Sequence, residues 1–309
     1  MKYISIAGTD LKLSVITLGT WVFSGATWGG SEEADCIAAV HAALDQGINV
    51  IDTAPIYGYG RAETLVGKAL KGRRDRAIIA TKCGLQGKGK HIYQDLSPEN
   101  IRKEVAESLS RLQTDYIDIY QCHWPDPKTP IEETMTCLMQ LQKDRKIRHI
   151  GVSNFPLGLL QDALRITRIV TLQSSLSLLQ RDLQKEILPF CKSQKIGVLT
   201  YGSLGGGILT GKYREPKAFP RDDARNFFYQ YYSGEPFRKV RAFLDKMEML
   251  GRPLNELALN WTRQQNGVVS TIAGCRNARQ VTENTKAAEW DISDEDMAAI
   301  GAALEEFGL

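Results

Sequence analysis

Eight short apolar runs, each followed by a stretch of helical periodicity, constrain this chain more than any other feature. The runs are residues 16–18, 48–51, 77–81, 116–121, 147–152, 169–172, 197–200 and 268–272. Each is too short for a helix and rich in β-branched or aliphatic residues, so each reads as a buried strand. The helical stretches that follow them are 32–45, 62–70, 100–111, 130–143, 157–164, 185–191, 237–250, 254–265 and 278–287. One more helix than the alternation needs stands late in the chain, and a final amphipathic helix spans 293–306. Strands that alternate with helices belong to a parallel sheet. Eight such units in a row predict a closed (β/α)8 TIM barrel. A doubly wound sheet wants GxGxxG after an early strand. Here Gly58-Tyr59-Gly60 runs into Arg61, Ala62 and Glu63, and the third glycine is missing. Ahead of the first unit, residues 3–6 and 13–15 flank Gly8-Thr9-Asp10 and read as an N-terminal β-hairpin.

The chain has 309 residues, 43% of them apolar, which is enough for one large core spanning 1–309 as a single domain. The formal charge of +3 gives no dedicated nucleic-acid surface. No apolar run reaches membrane length and no signal-peptide pattern opens the chain, so a cytoplasmic protein is expected. The oligomeric state is not legible. The six cysteines, at 36, 83, 122, 137, 191 and 275, are scattered without a CxxC pair and read as buried thiols. The four histidines have no metal-ligand spacing, and no metal site is expected.

The segment GINVIDTAPIYGYGRAETLVGKAL, 47–70, is strand, loop and helix in succession. Asp52 closes its strand, and Tyr57 follows in a loop punctuated by Pro and Gly. Lys82 and His123 come at the ends of the third and fourth strands. In a barrel these four converge on one mouth. The stretches 47-GINVIDTAPIYGYGRAE-63, 78-IIATK-82, 115-DYIDIYQCHWPD-126, 147-IRHIGVSNF-155, 209-LTGKY-213 and 272-IAGCRNARQVTEN-284 resemble the aldo-keto reductase family, in family order and over nearly the whole chain. The pattern is most similar to bacterial short-loop members.

The resemblance implies a nicotinamide-dependent oxidoreductase acting on a small-molecule carbonyl, with Asp52, Tyr57, Lys82 and His123 as its catalytic set. The residues also read that way physically. A phenol has a pKa of about 10 and needs help to act as an acid near neutrality. Lys82 is expected to lower it, and Asp52 to hold Lys82. His123 is expected to aim a hydrogen bond at the carbonyl oxygen. By position in the family pattern, Ser153 and Asn154, with Gln173 beside them, fall on the nicotinamide carboxamide. Tyr201 falls on its ring, and Ser203, Leu204, Gly206 and Gly207 on the pyrophosphate. Gly274, Arg276, Gln280 and Asn284 fall on the adenosine end.

Two departures from the family pattern stand out. A lysine and a later arginine often grip the 2′-phosphate, and those positions are Gly274 and Gln280 here. Arg276 remains, and no acid lies in 272–282 to repel a phosphate. NADPH is therefore expected, with NADH possible. After Gln173 the tyrosine often found at position 176 is Leu176. The loop 20–30 carries Trp21, Phe23 and Trp28. With Trp124 and the aromatic run 227–232, Trp21 and Trp28 are expected to line a largely apolar or mixed pocket around Tyr57, for small aromatic or aliphatic aldehydes rather than charged sugars. The alternative is a cofactor-binding regulatory or partner-binding subunit on the same fold.

Overall fold

The computed structural model describes residues 1–25, 28–89 and 91–309. Ala26 and Thr27, inside the aromatic loop expected at 20–30, and Lys90 lie outside the described residues. The chain opens with the expected hairpin, β1 (Tyr3–Ser5) paired antiparallel with β2 (Lys12–Ser14). The barrel begins with β3 (Ile16–Gly19), β4 (Val50–Asp52) and β5 (Ile78–Cys83). A second hairpin follows, β6 (Leu85–Lys88) and β7 (His91–Gln94). The barrel resumes with β8 (Ile117–Cys122), β9 (Ile147–Ser153), β10 (Thr171–Ser175), β11 (Gly197–Tyr201) and β12 (Val268–Gly274). All eight barrel strands run parallel. Pairing of β12 with β3, Thr271 opposite Ile16 and Gly274 opposite Gly19, closes the ring.

The helices are α1 (Glu33–Asp45), α2 (Arg61–Ala69), α3 (Pro98–Leu112), α4 (Ile131–Lys143), α5 (Leu157–Ile166) and α6 (Ile187–Ser193). They continue with α7 (Arg225–Phe228), α8 (Gly234–Glu248), α9 (Leu254–Arg263), α10 (Ala278–Thr285) and α11 (Asp294–Glu306). Among the described residues no helix is long and apolar enough to cross a membrane. Ser97 caps α3 as its sequence suggests, accepting from the Asn100 amide at 3.4 Å with Pro98 in the first turn.

Read locally, 84–89 is a glycine- and lysine-rich loop, Ser31 a helix cap and Thr129-Pro130-Ile131-Glu132 a capping box; the structure corrects all three. The glycine- and lysine-rich stretch 84–89 is not a plain loop. Its backbone pairs with 91–94, and these half-buried to exposed strands show no apolar alternation to betray them. Ser31 does not cap α1. Its hydroxyl accepts from Arg61, and the helix starts two residues later. Thr129 makes no capping box. Its hydroxyl donates to Asp126 Oδ2 at 2.7 Å, and Pro130 occupies the cap position itself.

The barrel interior changes character along its axis. Val50, Ala80 and Ile119 pack with Ile6, Leu11 and Leu13 of the N-terminal hairpin into a separate apolar cluster. Two residues further along each strand stand Asp52, Lys82 and Gln121. A spacing of two puts each on the same face as its apolar predecessor. One end of the barrel is thus filled with hydrocarbon, and the other carries buried charge.

Candidate active site

The Lys82 ammonium sits at the centre of that charged end, fully buried. It donates to both Asp52 oxygens, at 2.8 and 3.0 Å, and to the Thr53 carbonyl at 3.0 Å. Its fourth neighbour is the Tyr57 hydroxyl at 3.3 Å. Asp52 also accepts from Gln173 Nε2 at 2.7 Å. A lone buried ammonium would lose its proton, and burial does push the Lys82 pKa down while Asp52 opposes the shift. Behind β5, Thr81 donates to Glu63 at 2.6 Å, and Glu63 is held by Arg111 Nε at 2.7 Å. This outer brace fixes the strand segment from which Lys82 projects.

Tyr57 is placed by a tight turn in which Gly58, Tyr59 and Gly60 all have positive φ, 64°, 55° and 93°. Gly58 is required for a second reason. A Cβ there would lie 2.8 Å from the Ser24 carbonyl oxygen, so the turn packs backbone to backbone against the aromatic loop. The expected lowering of the Tyr57 pKa is overturned. Burial pushes the phenol well above its ordinary value, and the Asp52 charge adds to the rise. Lys82 does not reverse this, because its charge is already matched by Asp52.

His123 lies at the mouth of β8, its ring meeting the Tyr57 ring edge-on at 5.9 Å. Burial, then the nearby Lys82 charge, hold it well below the usual imidazole range, so it is neutral at neutral pH. Asn154, with φ 60°, links three strand ends. Its amide donates to the His123 carbonyl at 3.1 Å and to the Ser153 hydroxyl at 3.0 Å, and its oxygen accepts from the Tyr201 hydroxyl at 2.8 Å. Trp21 stacks on Tyr57 with ring centres 5.8 Å apart, and Trp28 meets Trp21 edge-on at 5.0 Å. Trp124 is half-buried directly after His123.

The remaining candidate residues lie in the loop after β11 and between the end of β12 and α10. Gly206 and Gly207 lie in a 3-10 segment, Gly205–Thr210, with φ of 69° and 105°. A Cβ on Gly206 would strike the Tyr229 ring at 2.6 Å, so the loop is compressed against the aromatic run. Ser203 is turned inward onto the Leu176 carbonyl, and Leu204 packs on the core. Arg276 reaches the Trp28 carbonyl, and its amide is bonded to Gln280 Oε1 at 2.9 Å. Gly274 is exposed at the end of β12. Asn284 is committed inward, to Cys275 Sγ at 3.3 Å and to Asn255 at 3.1 Å. Arg225, from the long connection after β11, joins Arg276. A Cβ on Gly29 would lie 3.7 Å from an Arg276 nitrogen and 3.8 Å from one of Arg225. One carboxylate, Asp223, pairs with Arg225, and the Arg225 charge lowers the Arg276 pKa after burial does. Among the described residues Arg276 Nε is buried without a partner. Two guanidinium groups against one carboxylate, with an unused donor, fit a phosphate.

The sequence profile described as the Aldo/keto reductase family matches residues 15–305. The chain belongs to the aldo/keto reductase family. It is 40% identical to "Aldo-keto reductase YhdN" of Bacillus subtilis (strain 168), covering 99% of this chain and 94% of that one. It is 36% identical to "NADH-specific methylglyoxal reductase" of Escherichia coli (strain K12), covering 99% and 100%. The solved glycerol dehydrogenase AKR11B4 from Gluconobacter oxydans superposes with a TM-score of 0.91 at 38% identity, covering 99% of this chain and 95% of that one. Aldo/keto reductases work with nicotinamide cofactors. The family and these relatives make the chain an oxidoreductase and support carbonyl reduction over a regulatory-subunit role.

The structure brings Asp52, Tyr57, Lys82 and His123 together with Gln173, Asn154 and Tyr201. It gives Gln173 a partner the sequence did not suggest, Asp52. It also adds Arg225 and Asp223. Their signal, an Asp and Arg two residues apart in a long loop, is too common to single out without coordinates.

Proposed function

We propose that this aldo/keto reductase reduces aldehydes or ketones to alcohols with NADPH, and that Tyr57 is the general acid. The observation that carries the reading is the Lys82 ammonium, buried and bonded on one side to Asp52 and on the other to the Tyr57 hydroxyl. A bound nicotinamide supplies the hydride for the carbonyl carbon. Negative charge then gathers on the carbonyl oxygen. Tyr57, whose raised pKa keeps it protonated, gives its proton to that oxygen. The phenolate left behind faces Lys82, which is charged because Asp52, itself held by Gln173, and the Thr53 carbonyl hold it so. Neutral His123 donates a hydrogen bond that orients the carbonyl. Asn154, fixed by His123 and Tyr201, is placed to meet the nicotinamide carboxamide. Arg276 and Arg225, side by side near Gly29, supply a cationic spot that favours the 2′-phosphate of NADPH.

Tyr57→Phe removes only the hydroxyl. A general acid is worth about 10²–10⁴-fold in rate. The variant should lose kcat for carbonyl reduction by that factor while keeping the NADPH dissociation constant of the parent, read by calorimetry. Near-normal turnover by a folded variant would remove Tyr57 from the role.

A further inference from the structure

We propose that Phe228 is a specificity-determining residue, a wall that separates the mouth above Tyr57 from an adjoining cavity and restricts the enzyme to compact carbonyl compounds. The proposal rests on carbonyl reduction at Tyr57. On its inner side the Phe228 ring meets Trp21 edge-on, centres 5.3 Å apart at 83°. Trp21 in turn stacks on Tyr57, so Phe228 is two rings from the reacting hydroxyl. On its outer side the same residue lines a cavity of about 760 Å³, together with Leu179, Gln180, Phe227, Tyr231 and Pro236. That volume lies in the range of small-molecule sites, roughly 300–1,000 Å³. One side chain therefore borders both spaces.

The wall is anchored although its ring is 56% exposed. It closes α7, a single turn whose first residue, Arg225, is buried. Arg225 donates to Asp223 Oδ1 at 2.7 Å and Oδ2 at 2.5 Å, and to the Tyr213 hydroxyl at 3.0 Å. Its guanidinium lies 3.9 Å from the centre of the Phe219 ring. The Phe228 amide returns to the Ala224 carbonyl at 3.2 Å. These contacts hold the turn while the terminal ring projects over Trp21. One side of the cavity is polar, with Arg181, Asp182, Gln184 and Lys185, and its charges are answered within the protein. Arg181 donates to the Leu178 and Leu309 carbonyls, and Lys185 pairs with Asp182. The other side, formed by Leu179, Phe227, Tyr231 and Pro236 beside Phe228, suits an uncharged hydrocarbon or aryl tail, and Phe228 stands between such a tail and the carbonyl position.

The test compares propanal with octanal in the parent, Phe228→Leu and Phe228→Ala, with the NADPH dissociation constant measured for each. Calorimetry of 1-octanol and ethanol binding to the NADPH-loaded proteins gives a readout independent of turnover. In Phe228→Ala the octanal-to-propanal ratio of kcat/KM should rise by about tenfold or more, a gain that burying a few methylenes suffices to give. Octanol should bind correspondingly tighter, ethanol and NADPH should be unchanged, and Phe228→Leu should fall between. An unchanged ratio in a variant that still reduces propanal and binds NADPH overturns the wall and leaves carbonyl reduction standing. A parent that binds no NADPH and reduces neither aldehyde overturns the reading beneath it, and the wall with it.

Discussion

Glu104→Gln should stabilise the protein at pH 8 and do far less at pH 5. Glu104 lies on α3 with 2% exposure, its Oε2 accepting from the Gly84 amide at 2.6 Å and from Asn100 at 3.0 Å. Burial raises its carboxyl from 4.5 to about 7, against the lowering by the Gly84 amide and with a further rise from the Glu63 charge. The sign follows from which state holds the proton. Between 4.5 and 7 the unfolded chain has released it and the folded chain has not. Stability is therefore full below the unfolded value and falls as pH rises towards the folded one. The loss between pH 5 and pH 8 amounts to about 2–3 kcal/mol, at about 1.4 kcal/mol for each tenfold change in the proton equilibrium. A neutral amide keeps an acceptor for Gly84 and carries no such loss. With about 2.1 cal/mol/K of unfolding entropy per residue, this corresponds to roughly 4 °C in Tm for a chain of this length. Thermal unfolding of parent and variant at both pH values is the assay. The quantity read is the growth of the variant's advantage from pH 5 to pH 8, which cancels every other titrating group. Equal Tm differences at the two pH values would refute a carboxyl that ionises at a cost in the folded state.

Two further perturbations follow from the geometry. Arg276→Ala should weaken NADPH by about 10–100-fold, the worth of a charge-assisted hydrogen bond, and NADH far less; equal losses in calorimetric titrations would take the phosphate away from Arg276. Gly151→Ala places a Cβ 2.3 Å from Thr171 Oγ1 and 2.9 Å from Gln121 Cγ, which should cost about 1–3 kcal/mol by overpacking, and an unchanged Tm would show that the interior there is free to yield.

The barrel was legible because it is written in a repeated contrast. Runs such as 77–81 and 169–172 are mostly apolar, as buried parallel strands must be. The helices between them show a single apolar stripe. The strand-end residues Asp52, Lys82 and His123 were legible for the same reason, since the end of a recognisable strand fixes where the next side chain emerges. The β6–β7 hairpin was not, because its pairing rests on backbone groups and its side chains, half-buried on β6 and mostly exposed on β7, show no alternation. Nor was the direction of the Tyr57 shift. Sequence tells that a lysine is near, but only the coordinates tell that its charge is already answered by Asp52 and that the phenol is buried. The Arg225–Asp223 anchor escaped because its meaning depends on a fold-back over Gly29 that no local spacing encodes.

The hairpin at the start of the chain makes the barrel a vessel with one opening. Ile6, Leu11 and Leu13 stopper the end away from Tyr57, and Gly197 leaves room for Ile6, whose Cδ1 would lie 2.8 Å from a Cβ there. On the proposed reading, substrate, product and protons share the mouth between Trp21, His123 and Phe228. Labour is thus divided between the two ends. Attachment to a solid support through exposed Lys12 on β2 leaves traffic through the mouth unobstructed. Loops around the mouth can be exchanged to alter substrate range while the stoppered end keeps the barrel closed.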